Sequence, residues 1–119
     1  MVRRSPGQIM PLELDILDAG MSLQAEEGSF YGFLLAKRIA QEAEGSLLAH
    51  GTLYKALTRM ATAGLLEPEW EDSAIAEADG RPRRRLYRVT GEGELARSRE
   101  HRRLAEQART APAIGLGHA

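Results

Sequence analysis

The alternation of apolar and polar positions along the chain outlines its elements before any single residue is considered. Leu12, Leu14, Ile16, Leu17 and Met21 recur at spacings that predict a first helix from Pro11. Proline suits the first helical position, where a missing N–H costs little. The apolar residues of this helix cover more than one face, which places it at the centre of a core or in contact with a partner. Glu26 to Ser29, with Gly28, reads as a turn. A second helix is predicted over about Phe30 to Glu44, with Gly32, Leu35, Ala36, Ile39 and Ala43 on its inner face and Gly45 ending it. A third runs from about His50 to Ala63, where Leu53, Leu57, Met60 and Gly64 follow the spacing of a buried stripe. Thr52, Lys55, Thr58, Arg59 and Thr62 fall outside that stripe and face outward.

Leu65 to Glu71 and Arg84 to Thr90 read as two strands around a tip that contains Gly80 and Pro82. Thr90 is placed to cap a last helix, with Glu92 near its positive end, and this helix runs through Leu95 and Leu104 to about Ala108. Helix, helix, helix, hairpin, helix is the order of a winged helix-turn-helix. The fold expected is therefore mainly α with a small β-hairpin, a winged helix-turn-helix followed by a C-terminal dimerisation helix. Residues 1–10 are expected to form a flexible N-terminus, 11–90 the DNA-binding domain, 91–109 the dimerisation helix and 110–119 a disordered tail. In such a fold a helix of about four turns enters the major groove while the hairpin reaches neighbouring backbone.

Composition narrows the chemistry. A chain of 119 residues suits one domain, and the absence of cysteine excludes disulfides, thiolate metal sites and a cysteine nucleophile. His50, His101 and His118 are too scattered for a metal cluster. No nucleophile elbow or phosphate-binding glycine loop is present, so neither an enzyme nor a cofactor is expected. Without an uninterrupted apolar span or a secretory signal, the expected location is the cytoplasm, with no membrane partner. The net charge of -1 offers no general attraction to nucleic acid, but charge is segregated locally. Glu67, Glu69, Glu71, Asp72, Glu77 and Asp79 precede Arg81, Arg83, Arg84, Arg85 and Arg88. Those arginines either pair across the hairpin or neutralise DNA phosphates. Trp70 reads as strand packing, and the arginines of the last helix as a solvated face with Glu100 and Glu106 as partners.

Gly51-Thr52-Leu53-Tyr54, followed by Ala56-Leu57, Arg59 and Gly64-Leu65, resembles the recognition-helix signature of PadR regulators. Gly80-Arg81-Pro82-Arg83, then Tyr87-Arg88, Thr90 and Gly93, resembles the wing of the same family and its exit into the last helix. Tyr31-Gly32-Phe33, Leu35 and Lys37-Arg38 resemble its second helix. The chain departs from the family pattern at Ala49 and His50, where serine and proline are usual, at Lys55, often proline, and at Tyr31 and Phe33, in place of histidine and tyrosine. The resemblance implies a cytoplasmic homodimeric repressor of promoters, sometimes released by a small aromatic or drug-like effector.

The candidate site follows from these readings. Base choice is expected from Thr52 and Lys55, with His50 as a third contributor, on a near-palindromic double-stranded operator. Arg59, a turn further along, is expected nearer the backbone. Tyr54 stands between two roles, a phosphate-contacting hydroxyl and partial core packing. Arg81, Arg83 and Arg84 are expected to hold phosphates from the wing. Leu12, Ile16 and Leu17 of the first helix, with Leu95 and Leu104 of the last, are the expected dimerisation residues. A winged-helix protein-interaction module without DNA binding is the alternative.

Overall fold

A computed structural model describes residues 8–42 and 50–110 of the chain. Five helices and three strands follow one another as α1 (Pro11–Glu27), β1 (Phe30–Tyr31), α2 (Gly32–Glu42), α3 (His50–Thr62), β2 (Leu66–Trp70), α4 (Ser73–Ala78), β3 (Arg85–Val89) and α5 (Gly91–Thr110). The chain has the mainly helical winged architecture that the residue pattern predicts. Ala43, Gly45 and Ala49 lie outside the described residues, as do the tail from 111 and residues 1–7 of the expected N-terminal segment.

Pro11 opens α1 as expected, and the Glu13 carboxylate accepts the Met10 N–H at 3.0 Å, closing the first turn. Ile9, expected in a loose segment, is instead buried in the core. The helix ends at Gly28, whose φ of 89° is open to glycine alone at little cost and whose N–H donates to the Gln24 carbonyl at 2.8 Å. α1 is the central element, touching α2, α3, α5, β1 and β3. That placement disposes of its excess apolar surface within the single chain. Ile16 and Leu17 are completely buried, so the expectation that they form a dimer interface is corrected: they are core residues.

The sheet departs from a simple hairpin. Its order is β1-β3-β2, all antiparallel, with Phe30 opposite Tyr87 and Tyr31 opposite Leu86. Phe30 and Tyr31, expected to begin the second helix, are a short strand because β3 would otherwise leave an unpaired edge. Phe30 is buried with its ring 6.2 Å from that of Tyr87, and it fills the space over Gly20, where an added Cβ would meet it at 2.8 Å. Gln24 extends this edge from α1: its Oε1 accepts the Val89 N–H at 2.7 Å and its Nε2 donates to the Val89 carbonyl at 3.5 Å. A side-chain amide thus stands where a third strand residue would pair.

β2 and β3 pair from Leu66–Val89 to Trp70–Arg85, each within a residue of expectation. The tip between them holds α4, which the glycine and proline signals did not reveal. Asp72 caps it, its Oδ1 accepting the Ala74 N–H at 2.9 Å, and Ala76 is buried beneath it. The wing ends in a dense joint. Thr90 Oγ1 accepts the Gly93 N–H at 3.0 Å, as the capping role predicts, and donates to the Gly64 carbonyl at 2.6 Å. Its N–H donates to the Leu65 carbonyl at 3.1 Å. The start of α5 is thereby bonded to the exit of α3.

Candidate nucleic-acid interface

The buried stripe of α3 is Leu53, Ala56, Leu57 and Met60. At 3.6 residues per turn this turns Thr52, Tyr54, Lys55, Thr58, Arg59 and Thr62 away from the core. Thr52, Lys55 and Thr58 are exposed along its length, and His50 is its first residue. Tyr54 is 44% exposed, and its ring lies on the N-terminus of α2, where a Cβ on Gly32 would meet it at 2.7 Å. Partial packing is therefore one role of Tyr54, and Gly32 is the residue that makes room for it. Arg59 donates from Nε to the Glu13 carboxylate at 2.8 Å, and that carboxylate is completely buried.

Thr58, Ala61 and Thr62 of α3 form one wall of an open groove, and Pro68, Arg85 and Tyr87 of the sheet form the other. Tyr54, Lys55, Thr58 and Arg59 line the adjoining surface. Strand register places Trp70 beside Arg85 on the sheet face that carries Pro68 and Leu66. The outward side of α3 and the near face of the wing are therefore continuous.

The hairpin arginines divide into two classes. Arg81 is taken up inside the wing: Nη1 and Nη2 donate to the two Glu71 oxygens at 2.6 and 2.9 Å, and Nη2 also reaches Asp79 at 3.2 Å. The Glu71 carboxylate is nearly buried and also accepts the Arg84 N–H at 3.2 Å. The hydrogen bonds from Arg81 hold its carboxyl down at about 2 against the effect of burial, and Glu71 in turn raises the Arg81 guanidinium. Arg81, expected among the phosphate contacts, is instead a clamp between the two strands and the tip. Arg88 is neutralised as well, by Glu67 at 3.2 Å and Glu69 at 3.4 Å. The pairing expected across a hairpin thus accounts for these two arginines.

Arg83, Arg84 and Arg85 have no carboxylate partner among the described residues. Their guanidinium groups rest on aromatic rings: Arg84 lies 4.1 Å from the Tyr31 ring centroid, and Arg83 and Arg85 lie 5.7 and 4.9 Å from that of Trp70. Arg83 also donates from Nε to the Glu71 carbonyl at 2.8 Å. A ring aligns a guanidinium without cancelling its charge, so the wing presents Arg83 and Arg85 on the Trp70 face and Arg84, whose charge also acts on Glu71, on the opposite face beside Tyr31. Trp70, expected as packing, is 54% exposed and acts as the support for two of them. Sequence reasoning missed Arg85 as a member of this group. The available signal was strand alternation, which sets Arg85 opposite Trp70.

On α5, the carboxylate of Asp18 in α1 accepts from Arg97 Nε at 2.6 Å and bonds His101 Nε2 at 2.8 Å. Arg97 thus pairs with α1, while Arg103 pairs with Glu100 and Arg109 with Glu106. The expected dimerisation residues do not share one surface. Leu12 is half-buried against the core, and Leu95 and Leu104 are 54% and 39% exposed. Their spacing along α5 sets them about half a turn apart. Leu104 lies on the side of Gly93, Arg97 and Glu100, which faces α1. Among the described residues no group of side chains could hold a metal ion, and no helix is long and apolar enough to cross a membrane.

Comparison with known proteins gives this surface its context. A family model described as the transcriptional regulator PadR-like family matches residues 22–99. A PadR-like transcription factor from Bacteroides fragilis is similar at 28% identity and a TM-score of 0.65, covering 83% of this chain and 84% of that one. A PadR family transcription regulator from Clostridium difficile R20291 is similar at 25% identity and a TM-score of 0.60, over 81% and 91% of the two chains. A transcriptional regulator from Clostridium thermocellum shares the fold at 22% identity and a TM-score of 0.66, over 91% and 93%. No curated protein matches the sequence.

Proposed function

Because the chain belongs to the PadR-like family of DNA-binding transcriptional regulators, which are not enzymes, we propose that it is a sequence-specific, homodimeric repressor acting in the cytoplasm. The observation that carries this reading is the continuity of the exposed α3 face with the wing face on which Trp70 supports Arg83 and Arg85, neither of them paired with a carboxylate among the described residues. Residues 11–90 form the DNA-binding domain and 91–109 the dimerisation helix. A helix in the major groove reads base edges with its outward side chains. Thr52 offers a methyl group to thymine and a hydroxyl to a base or phosphate, and Lys55 reaches guanine acceptors. His50 adds a third contact at the start of the helix, and the Tyr54 hydroxyl contacts a phosphate from its place over Gly32. Arg83 and Arg85 hold the backbone that passes between α3 and the wing, and Arg84 meets phosphates from the opposite face of the wing, all supplying affinity without base choice.

Two copies related by a two-fold axis present two such helices to a near-palindromic operator. Of the residues expected at that contact, Leu12 and Leu104 remain for it, with Leu95 on the other side of α5. Release by a small aromatic or drug-like effector belongs to the same proposal. The groove between α3 and the wing and the surface beside it are open, so a ligand held there would need walls supplied by the second protomer.

The test is selection of bound fragments from random duplex DNA by the purified protein. Recovery of one near-palindromic motif supports the reading. Thr52→Ala and Lys55→Ala should then reorder binding to single-base variants, with losses of roughly 1–3 kcal/mol at particular base pairs. Absence of any enriched sequence would instead favour an interaction module that does not bind DNA.

A further inference from the structure

Glu13 is a completely buried carboxylate in a helix whose other buried side chains are apolar. A buried charge is tolerated only when it is paired and hydrogen-bonded. Here Oε1 accepts the Met10 N–H at 3.0 Å and Oε2 accepts Arg59 Nε at 2.8 Å. Arg59 is on the recognition helix, 44% exposed, and shares its surface with Tyr54, Lys55 and Thr58. The charge on this arginine therefore stands at the DNA-facing surface while its counter-charge lies fixed beneath it.

Resting on the DNA-binding reading, we propose that Glu13 sets the selectivity of the protein by neutralising Arg59, so that α3 presents Lys55 as its effective cation and attracts DNA of arbitrary sequence only weakly. Sequence-independent affinity depends on how many phosphates the protein neutralises, each releasing counterions and contributing about 0.9 to the salt slope. A cation whose field is cancelled by a carboxylate at 2.8 Å contributes little to that count. The base-reading residues Thr52 and Lys55 are unaffected by the cancellation. Specific binding then stands further above non-specific binding than it would with an unpaired arginine, and this ratio decides occupancy in a genome full of competing sites.

The experiment measures binding of the full chain to a fluorescein-labelled duplex of mixed sequence, about three helical turns long, across a salt series. Glu13→Gln keeps one of the two acceptor oxygens, for the Met10 N–H or for Arg59 Nε, and removes the charge. It should tighten binding roughly five- to tenfold per protomer near 0.1 M salt and steepen the slope by about one per protomer. The double variant Glu13→Gln/Arg59→Gln removes one charge of each sign together, and should bind as the unmodified protein does, within about twofold, with the same slope. This second arm stands even where the single variant does not fold.

Weaker or unchanged binding by Glu13→Gln would overturn the proposal. So would a loss of slope of about one per protomer in the double variant, which would make Arg59 a phosphate contact that Glu13 merely orients. If the unmodified protein binds no duplex at any salt concentration, the DNA-binding reading itself fails and this inference falls with it. Binding by the unmodified protein with either contrary variant result removes the inference alone.

Discussion

Replacing Gly93 by alanine should destabilise the protein although it places the better helix former in α5. A Cβ at this position would strike the Leu65 carbonyl oxygen and lie 2.8 Å from Val89 Cγ1. The carbonyl cannot move aside cheaply, because it is backbone and accepts the Thr90 N–H at 3.1 Å. Alanine gains up to about 1 kcal/mol over glycine in a helix, whereas forcing a methyl into a filled site costs about 1–3 kcal/mol. With a backbone atom in the path the upper part of that range applies, leaving a net loss of about 2 kcal/mol, or roughly 8 °C in Tm for a domain of this size. Gly91, two residues earlier in the same helix, has nothing within 4 Å of the position a Cβ would take. Gly91→Ala should leave stability within about 0.5 kcal/mol of the parent. Urea and thermal unfolding of the two variants side by side provide the assay. If Gly93→Ala unfolds at or above the parent midpoint, the joint between α3, the wing and α5 is looser than its geometry states, and the reasoning fails.

Three further outcomes are expected. The Glu71 carboxyl is lowered from 4.5 to about 2 in the folded protein, foremost by its hydrogen bonds from Arg81, so the stability it contributes is complete above pH 4.5 and is lost as pH falls toward 2. Glu71→Gln should flatten the stability profile in that window, as read by urea midpoints at successive pH values, and an unchanged profile would contradict the clamp. Leu104→Glu should dissociate the dimer in sedimentation experiments while Leu95→Glu leaves it intact, because only Leu104 continues the side that α5 turns toward α1; a monomeric parent would refute the dimer itself. The fluorescence of Trp70, the only tryptophan in the chain, should change on addition of duplex DNA, and the change should shrink in Arg83→Ala/Arg85→Ala; a signal indifferent to DNA would remove the wing from the contact surface.

The elements that were legible in the sequence are those whose signals are local. Pro11 at the start of α1, the stripe of α3, Gly64 at its end and Thr90 as a cap each state their role through a neighbour within a turn or two. β1 was not legible, because two residues carry no period and Phe30 becomes strand only by pairing with Tyr87, far along the chain. α4 is likewise held by a single cap and a single buried alanine. Burial of Ile16 and Leu17 depended on how many elements converge on α1, which no pattern within α1 encodes. Among the wing arginines, composition showed a cationic group but not its division. Arg81 is withdrawn by the burial of Glu71, and Arg85 is presented by its register opposite Trp70; both are facts of strand pairing. Glu13 gave no sign of its importance, since a carboxylate in the first turn of a helix is ordinary.

The bonding at Thr90 also turns the last helix into a crank arm. α5 has 20 residues and so extends about 30 Å at 1.5 Å per residue. With its near end bolted to the exit of α3, a tilt of about 5° at the joint would carry the far end by roughly 3 Å while Leu65 hardly moved. In a dimer gripped through that far end, the same small angle is read out as the distance between two recognition helices. Operator spacing in the proposed dimer then depends on the stiffness of the threonine-centred joint and of the bonds that tie Arg97 and His101 to Asp18, and on the methyl group that Gly93 lacks.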